Sequence, residues 1–256
     1  MDLSVNAISG LFYTLMWPML RISALLVTAP FFGLRGVPLR IRILLALALT
    51  GLIYPTLEWP TIDPTTARGL LEVVNQIFIG AAMGLILQII VAGFVLAGQA
   101  ISNAIGMSIA NLIDPTLGNV PVLSQFLLIL GALIFFGTGG HLALMATLLK
   151  SFTAVPIGQS LFTQETAGQM VAWSSMMFVS GLLIALPVLA AMLVINVGLG
   201  VVTRAAPSLN IFAVGFPAMI ATGLLAFMLS MESTGARIQS LWAQTLLRVA
   251  DLVGVR

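Results

Sequence analysis

"VVNQIFIGAAMGLILQIIVAGFVLAGQAISNAIGMSIANLI", residues 73–113, is 41 residues long and holds no charged side chain. A helix that crosses a bilayer needs about 20 apolar residues. Wound as one helix, the stretch would reach about 60 Å at ~1.5 Å per residue. It is about twice too long for one simple span. Either it bends back on itself, or it protrudes from lipid into a sheath of other protein. A second charge-free run, residues 166–203, poses the same problem with 38 residues.

Composition extends this reading to the whole chain. Of 256 residues, 60% are hydrophobic and only 7% are charged. A soluble domain carries about 25% charged residues, because a globule must cover its outside with something polar. The chain belongs to the membrane class. Six apolar blocks follow, at about 11–34, 38–57, 69–102, 122–149, 168–203 and 210–232. They are continuously apolar rather than alternating, which argues for helices and against a β-barrel. The expected fold is all-α and membrane-associated. The net charge of +2 is small and scattered, so nucleic acid is not an expected partner. There is no cysteine, and so no disulfide or thiolate chemistry. The opening "MDLSVNAISG" has no basic residue ahead of its apolar block, which predicts a retained first helix rather than a cleaved signal.

Pro38, Pro60, Pro64, Pro156 and Pro207 fall in connections, where a missing N–H costs little. Pro18, Pro187 and Pro217 fall inside blocks and predict kinks. Small residues recur every four positions at Gly80 and Gly84, and again at Gly98, Ser102, Gly106 and Ala110. Such a row lets another helix approach closely. The sequence leaves open whether that helix lies in this chain or in another subunit. The methionines, 13 in all, are read as gap fillers between helices.

Near the end, Ile238, Leu241, Trp242, Thr245, Val249, Leu252 and Val253 share one helical face. Arg237, Gln244, Arg248 and Asp251 lie off it. This amphipathic tail suits a membrane surface, a partner, or a solvated extension of the last span. Orientation signals conflict. The connection with Arg35, Arg40 and Arg42 asks to be cytoplasmic, and so do Arg204 and the arginines of the tail. Arg204 and the tail sit at opposite ends of one block, so simple six-span threading fails.

Catalytic constellations are missing from the sequence. The single histidine, His141, rules out H-E-x-x-H, and G-x-S-x-G is absent. No P-loop or dinucleotide fingerprint occurs. Asp114 is the only acid between Glu72 and Glu165, so a two-aspartate intramembrane protease is excluded. No cofactor is expected. A secondary transporter using Asp114 remains as the alternative, since intramembrane carboxylates mark ion paths. Asp114 also precedes Pro115, and Asp-Pro opens turns. A capping role, a gating contact and proton coupling all stay open for it. His141, after "GTGG", reads as a helix start or a packing hydrogen bond.

Between two of the most apolar stretches lies "NAIGMSIANLIDPTLGNVPVLSQF", residues 103–126. It has too few charges for a watery loop and is too broken for lipid. Irregular backbone at membrane depth survives only inside protein or along a watery cavity.

The segments "APFFGLRGVPLRIRILLALALTGLIYP" (29–55), "GQAISNAIGMSIANLIDP" (98–115), "PVLSQFLLILGALIFFGTGGH" (121–141) and "RAAPSLNIFAVGFP" (204–217) carry a family resemblance. In this order they resemble the FliR family of flagellar type III export-gate proteins, called SctT in injectisomes. "LNIFAVGFP" is closer to the flagellar branch. The resemblance implies a non-enzymatic subunit that joins several copies each of FliP and FliQ in a closed gate, on which FlhB docks and through which unfolded flagellar subunits pass. It implies long kinked helical hairpins, with residues 1–165 as a FliP-like part and 168–256 as a FliQ-like hairpin. It implies a place in the bacterial inner membrane and flagellar basal body, with much of the assembly on the periplasmic side.

The resemblance also implies that the central segment, about 106–120, plugs the pore. Its residues would be Gly106, Met107, Ile109, Leu112, Ile113, Asp114, Pro115 and Gly118. In the same frame Gly80, Gly84, Gly98 and Ser102 serve subunit packing. Arg35, Arg40, Arg42 and Arg204 anchor the cytoplasmic side or pair with partners, ordinary positive-inside anchoring being the plainer account.

Overall fold

A computed structural model of the chain describes residues 5–32, 38–57, 59–60, 62–107, 122–161, 163–205 and 211–255. Among them there is no strand. The helices are α1 (Val5–Thr28), α2 (Leu39–Ile53), α3 (Ala67–Ile105), α4 (Val122–Gly137), α5 (Gly140–Ala154), α6 (Gln164–Ser174), α7 (Met176–Ala205), α8 (Ile211–Leu229) and α9 (Met231–Leu252). A 3-10 turn, Tyr54–Thr56, closes α2. The all-α class expected from the apolar blocks is what the structure shows.

Helix α3 carries most of the charge-free run 73–113. It runs unbroken for 39 residues, so about 58 Å at ~1.5 Å per residue. The charge-free run does not fold back within it. The block at 122–149, by contrast, is two helices. The chain turns at Gly139, which adopts φ 75° and caps α5. His141 is the second residue of α5, in its first turn. Pro18, Pro187 and Pro217 lie inside α1, α7 and α8. Pro38 sits at the N-cap of α2, where its fixed φ of −56° suits a helix start.

Among the described residues, length and composition alone make three stretches able to cross a membrane: Leu39–Thr56, Ala67–Ile105 and Gln164–Ala205. The number rises to five if the bent pairs α4–α5 and α8–α9 each count as one span.

The chain divides into two compact units, each assembled from separated stretches. The first comprises Met1–Ile89, Gly139–Ser174 and Gln244–Arg256. Its core is built by Trp17, Ile22, Leu25 and Leu26 of α1, Ile79, Met83 and Ile86 of α3, and Leu144 and Leu148 of α5. Helix α1 also packs against α2. The second comprises Ile90–Thr138 and Ser175–Ala243. There α7 packs against α8. Trp242 is buried, with its ring centroid 4.7 Å from Phe135 and 5.7 Å from Phe94. Its indole N–H donates to the Gly131 carbonyl at 3.0 Å, so the largest side chain of this core leaves no polar atom stranded.

The predicted apolar face of the tail is covered by the chain itself. Ile238, Leu241, Trp242, Thr245, Val249, Leu252 and Val253 are all buried. Arg237, Gln244 and Asp251 are exposed. Arg248 is half-buried and donates to Gln169 at 3.3 Å. The periodicity marked the right face, and a face already packed is not free to lie on a membrane.

Candidate functional site

The segment expected to plug a pore leaves α3 at Gly106. The Met107 N–H donates to the Ser102 carbonyl at 3.0 Å, and the Gly106 N–H to that of Asn103 at 3.1 Å. Gly106 has φ 89°. This is a glycine-ended helix terminus, in which a left-handed residue lets the last carbonyls be satisfied. Around it, Ile105 fills the space over Gly223 of α8. A Cβ on Gly106 would meet only the tips of Phe216 and Met219, at 3.7 Å. Backbone geometry rather than crowding makes the position fit glycine. Ser102, one turn back, is buried, and among the described residues its hydroxyl has no hydrogen-bond partner. Ile109, Leu112, Ile113, Asp114, Pro115 and Gly118 lie outside the described residues, and so does Arg35.

The small residues sit where helices of this chain come closest. A Cβ on Gly80 would overlap the Arg21 carbonyl oxygen and lie 2.9 Å from Ala24 Cβ. On Gly84 it would overlap Thr28 Oγ1 and reach Ala29 N at 2.7 Å. These two glycines let α3 press against α1. On Gly98 it would strike the backbone of Ser124 in α4, whose hydroxyl donates to the Val95 carbonyl at 2.9 Å. The small-residue row thus brings together helices of one polypeptide.

The other arginines are peripheral. Arg40 and Arg42 lie in the first turn of α2, exposed and half-buried respectively. Arg204 is exposed in the last turn of α7, where a cation suits the helix C-terminus.

Arg21 is different, and sequence reasoning passed over it. It is fully buried. Its Nε donates to Gln76 Oε1 at 2.7 Å. Nη1 donates to the carbonyl and hydroxyl of Ser151, at 2.8 and 3.1 Å. Nη2 donates to the Val155 carbonyl at 2.9 Å. The guanidinium lies 4.3 Å from the centroid of the Phe152 ring. Gln76 passes the chain on by donating to Glu72, which is itself buried. Asn75, beside it, donates to the Gln159 carbonyl at 2.6 Å and accepts from the Leu161 N–H at 3.2 Å. One cation and one carboxylate, relayed by an amide, tie α1, α3, α5 and the connection after α5 together. The signal was present in the sequence: an arginine inside an apolar helix, and Glu72, Asn75 and Gln76 spaced for one helical face.

Outward, the chain presents hydrocarbon. Along α7, Phe178, Leu182, Leu193, Val194, Val197 and Val201 are exposed, and α2 exposes Leu39, Ile41, Leu44, Leu47 and Leu52. Among the described residues no three His, Asp or Glu side chains come together as a metal site would require.

Residues 12–245 match the family described as bacterial export proteins, family 1. The flagellar biosynthetic protein FliR of Pectobacterium carotovorum subsp. carotovorum is 33% identical over 250 residues, which cover 97% of this chain and 94% of that protein. FliR of Escherichia coli (strain K12) is 33% identical over 238 residues, 93% of this chain and 91% of that one. FliR of Bacillus subtilis (strain 168) is 31% identical over 258 residues, 98% and 100% of the two chains.

Proposed function

The chain belongs to the bacterial export proteins, family 1, and from that premise we propose that it is a non-enzymatic subunit of a flagellar type III protein export gate. The single observation that carries this is a match to flagellar biosynthetic proteins running nearly end to end in both partners. In the proposal the chain joins FliP and FliQ in a closed channel, FlhB docks on it, and unfolded flagellar subunits cross it. Residues 1–165 form the FliP-like part and 168–256 the FliQ-like hairpin. The assembly sits in the inner membrane and rises on its periplasmic side.

Two physical features support a subunit rather than a solitary protein. Helix α3 at about 58 Å exceeds a hydrocarbon core of about 30 Å, so part of it needs cover other than acyl chains. The exposed leucines and valines of α7 belong to a helical stretch of 42 residues, Gln164–Ala205, which is too long in the same way. Sister subunits would cover both.

The plug role of Gly106 to Val120 is part of the proposal. Such a segment should hold few charges, since an unpaired buried charge is costly. The start of the segment is a tight left-handed terminus, which fixes where it departs from α3.

The test is complementation with co-purification. Expressed in a strain lacking its own FliR, the chain should restore flagellar export and bring FliP and FliQ through purification. Failure of both would remove the proposal. The transporter alternative is separated by Asp114→Asn. That change leaves a gate competent for export and disables a carrier that depends on the carboxylate. Removing residues 106–120 should make cells leak small ions if the segment seals a pore, and unchanged tightness would count against the plug.

A further inference from the structure

We propose that the first unit carries a phospholipid site, in which an acyl chain fills a hollow beside Trp59 and an anionic headgroup meets Lys150. Two contiguous hollows of about 540 and 390 Å³ share Leu57 and Thr153. Their sizes fall in the roughly 300–1,000 Å³ range of small-molecule sites. The larger is walled by Trp59, Phe152, Pro156 and Ile157, the smaller by Ile53, Leu149 and Lys150. Carbon dominates both linings. An extended peptide added as a strand would need main-chain partners along its length, and these walls offer few. An acyl chain needs only carbon.

The floor of the larger hollow is held rigid. Phe152 has the buried Arg21 guanidinium 4.3 Å from its ring centroid and the Trp59 ring at 5.5 Å in an edge arrangement. Trp59 in turn stacks on Tyr54 at 6.3 Å and donates its indole N–H to the Tyr54 carbonyl at 2.8 Å. Tyr54 O–H lies 3.0 Å from Thr14 Oγ1. The column Arg21–Phe152–Trp59–Tyr54 therefore pre-forms the wall rather than leaving it to the ligand.

Position and charge choose the lipid. The hollows lie where the candidate span Leu39–Thr56 ends. Tryptophan and tyrosine concentrate at that level of a bilayer, between hydrocarbon and water. Beyond it the chain turns polar at Asp63, Thr65, Thr66 and Arg68. Lys150 is the only lysine in the sequence and is exposed at the rim. Among the described residues its ammonium has no hydrogen-bond or ion-pair partner. A free cation at headgroup depth beside a hydrocarbon slot fits a lipid phosphate.

The test uses the full chain, with the subunits that co-purify, in phosphatidylcholine nanodiscs. These carry a stepwise increasing fraction of either phosphatidylglycerol or phosphatidylcholine with brominated chains, and bromine quenches indole fluorescence. The Trp59 signal is the difference between wild type and Trp59→Phe. Brominated phosphatidylglycerol should reach half-quenching at an about fivefold lower fraction, the preference one basic residue confers at an anionic surface. Lys150→Gln should abolish the preference and Lys150→Arg should keep it. Equal quenching by both lipids, a preference untouched by Lys150→Gln, or no quenching of Trp59 because a protein neighbour fills the groove would each overturn the site.

Discussion

Arg21 Nε and Gln76 Oε1 meet at 2.7 Å across 55 residues of sequence, in an interior from which water is excluded. Removing one partner of a buried charged network leaves the other groups without their bonds, at a cost of about 3–5 kcal/mol. Arg21→Met should therefore destabilise the first unit by about that amount. Arg21→Lys should recover only part, because an ammonium cannot reproduce the forked donation to Ser151 and Val155. Thermal unfolding of the purified assembly checks both. A fully stable Arg21→Met protein would mean that the network adds little to the fold.

The glycine row predicts an inversion of helix propensity. Alanine is favoured over glycine by about 1 kcal/mol in a helix interior. At Gly80 and Gly84, however, a Cβ would overlap the backbone or side chains of α1. Forcing helices apart costs about 1–3 kcal/mol, so Gly80→Ala and Gly84→Ala should lower stability. Gly198 and Gly200 in α7 have no atom within 4 Å of such a Cβ, and alanine there should be neutral or better. Equal effects at the two pairs would show that the α1–α3 approach is not tight.

Gly106 tests backbone strain instead of crowding. Its φ of 89° lies in the region that L side chains avoid. The left-handed conformation costs a non-glycine residue about 1–2 kcal/mol. Gly106→Ala should fray the end of α3 and speed amide exchange at Met107, whose N–H closes the terminus. Gly106→Asn should be the milder change, since asparagine tolerates this conformation better. Identical exchange in all three proteins would sink the assignment.

The apolar blocks foretold nearly every helix, because a backbone in lipid or in a protein sheath has few other ways to satisfy itself. The face of the tail through Ile238, Trp242 and Val249 was legible from its period. What covers it was not, since periodicity names a side and not a neighbour. The start of α5 was legible in "GTGG", after which His141 reads as a helix start, although hydropathy ran 122–149 together as one block. The Arg21 network escaped because its members are scattered over α1, α3 and α5, and only the fold brings 21, 76 and 151 together. For the plug, the structure describes only the entry at Gly106 and Met107.

Trp242 makes a separable prediction about the second unit. Its N–H is the partner of a buried carbonyl at Gly131. Trp242→Phe removes that donor while the Gly131 carbonyl keeps its bond within α4, so the loss should cost about 0.5–1.5 kcal/mol before any loss of packing. Because α4 and α9 meet through this bond, the loss should appear as faster amide exchange in both helices. Arg21→Met, centred 4.3 Å from the Phe152 ring, should instead expose α1 and α5 first. Overlapping exchange patterns for the two variants would mean that the units do not melt separately.

The turn ahead of α3 responds to acid. Asp63 accepts from the Thr65 N–H at 2.8 Å and from its hydroxyl at 2.7 Å. Those two bonds favour the carboxylate and hold its pKa below the ordinary 3.8. The folded pKa is thus depressed, so the stabilisation is fully present above 3.8 and fades as pH falls through the lower folded value. Asp63 is fully exposed, and solvent keeps the effect small. Neutral and mildly acidic solutions should show the same exchange rate at the Thr65 amide once intrinsic chemistry is corrected, with loosening only below about pH 4. Asp63→Asn keeps one acceptor but loses the charge, so its Thr65 amide should exchange faster at neutral pH and show no acid step. A step at pH 5 or above in the wild-type chain would mean that a different carboxylate governs the turn.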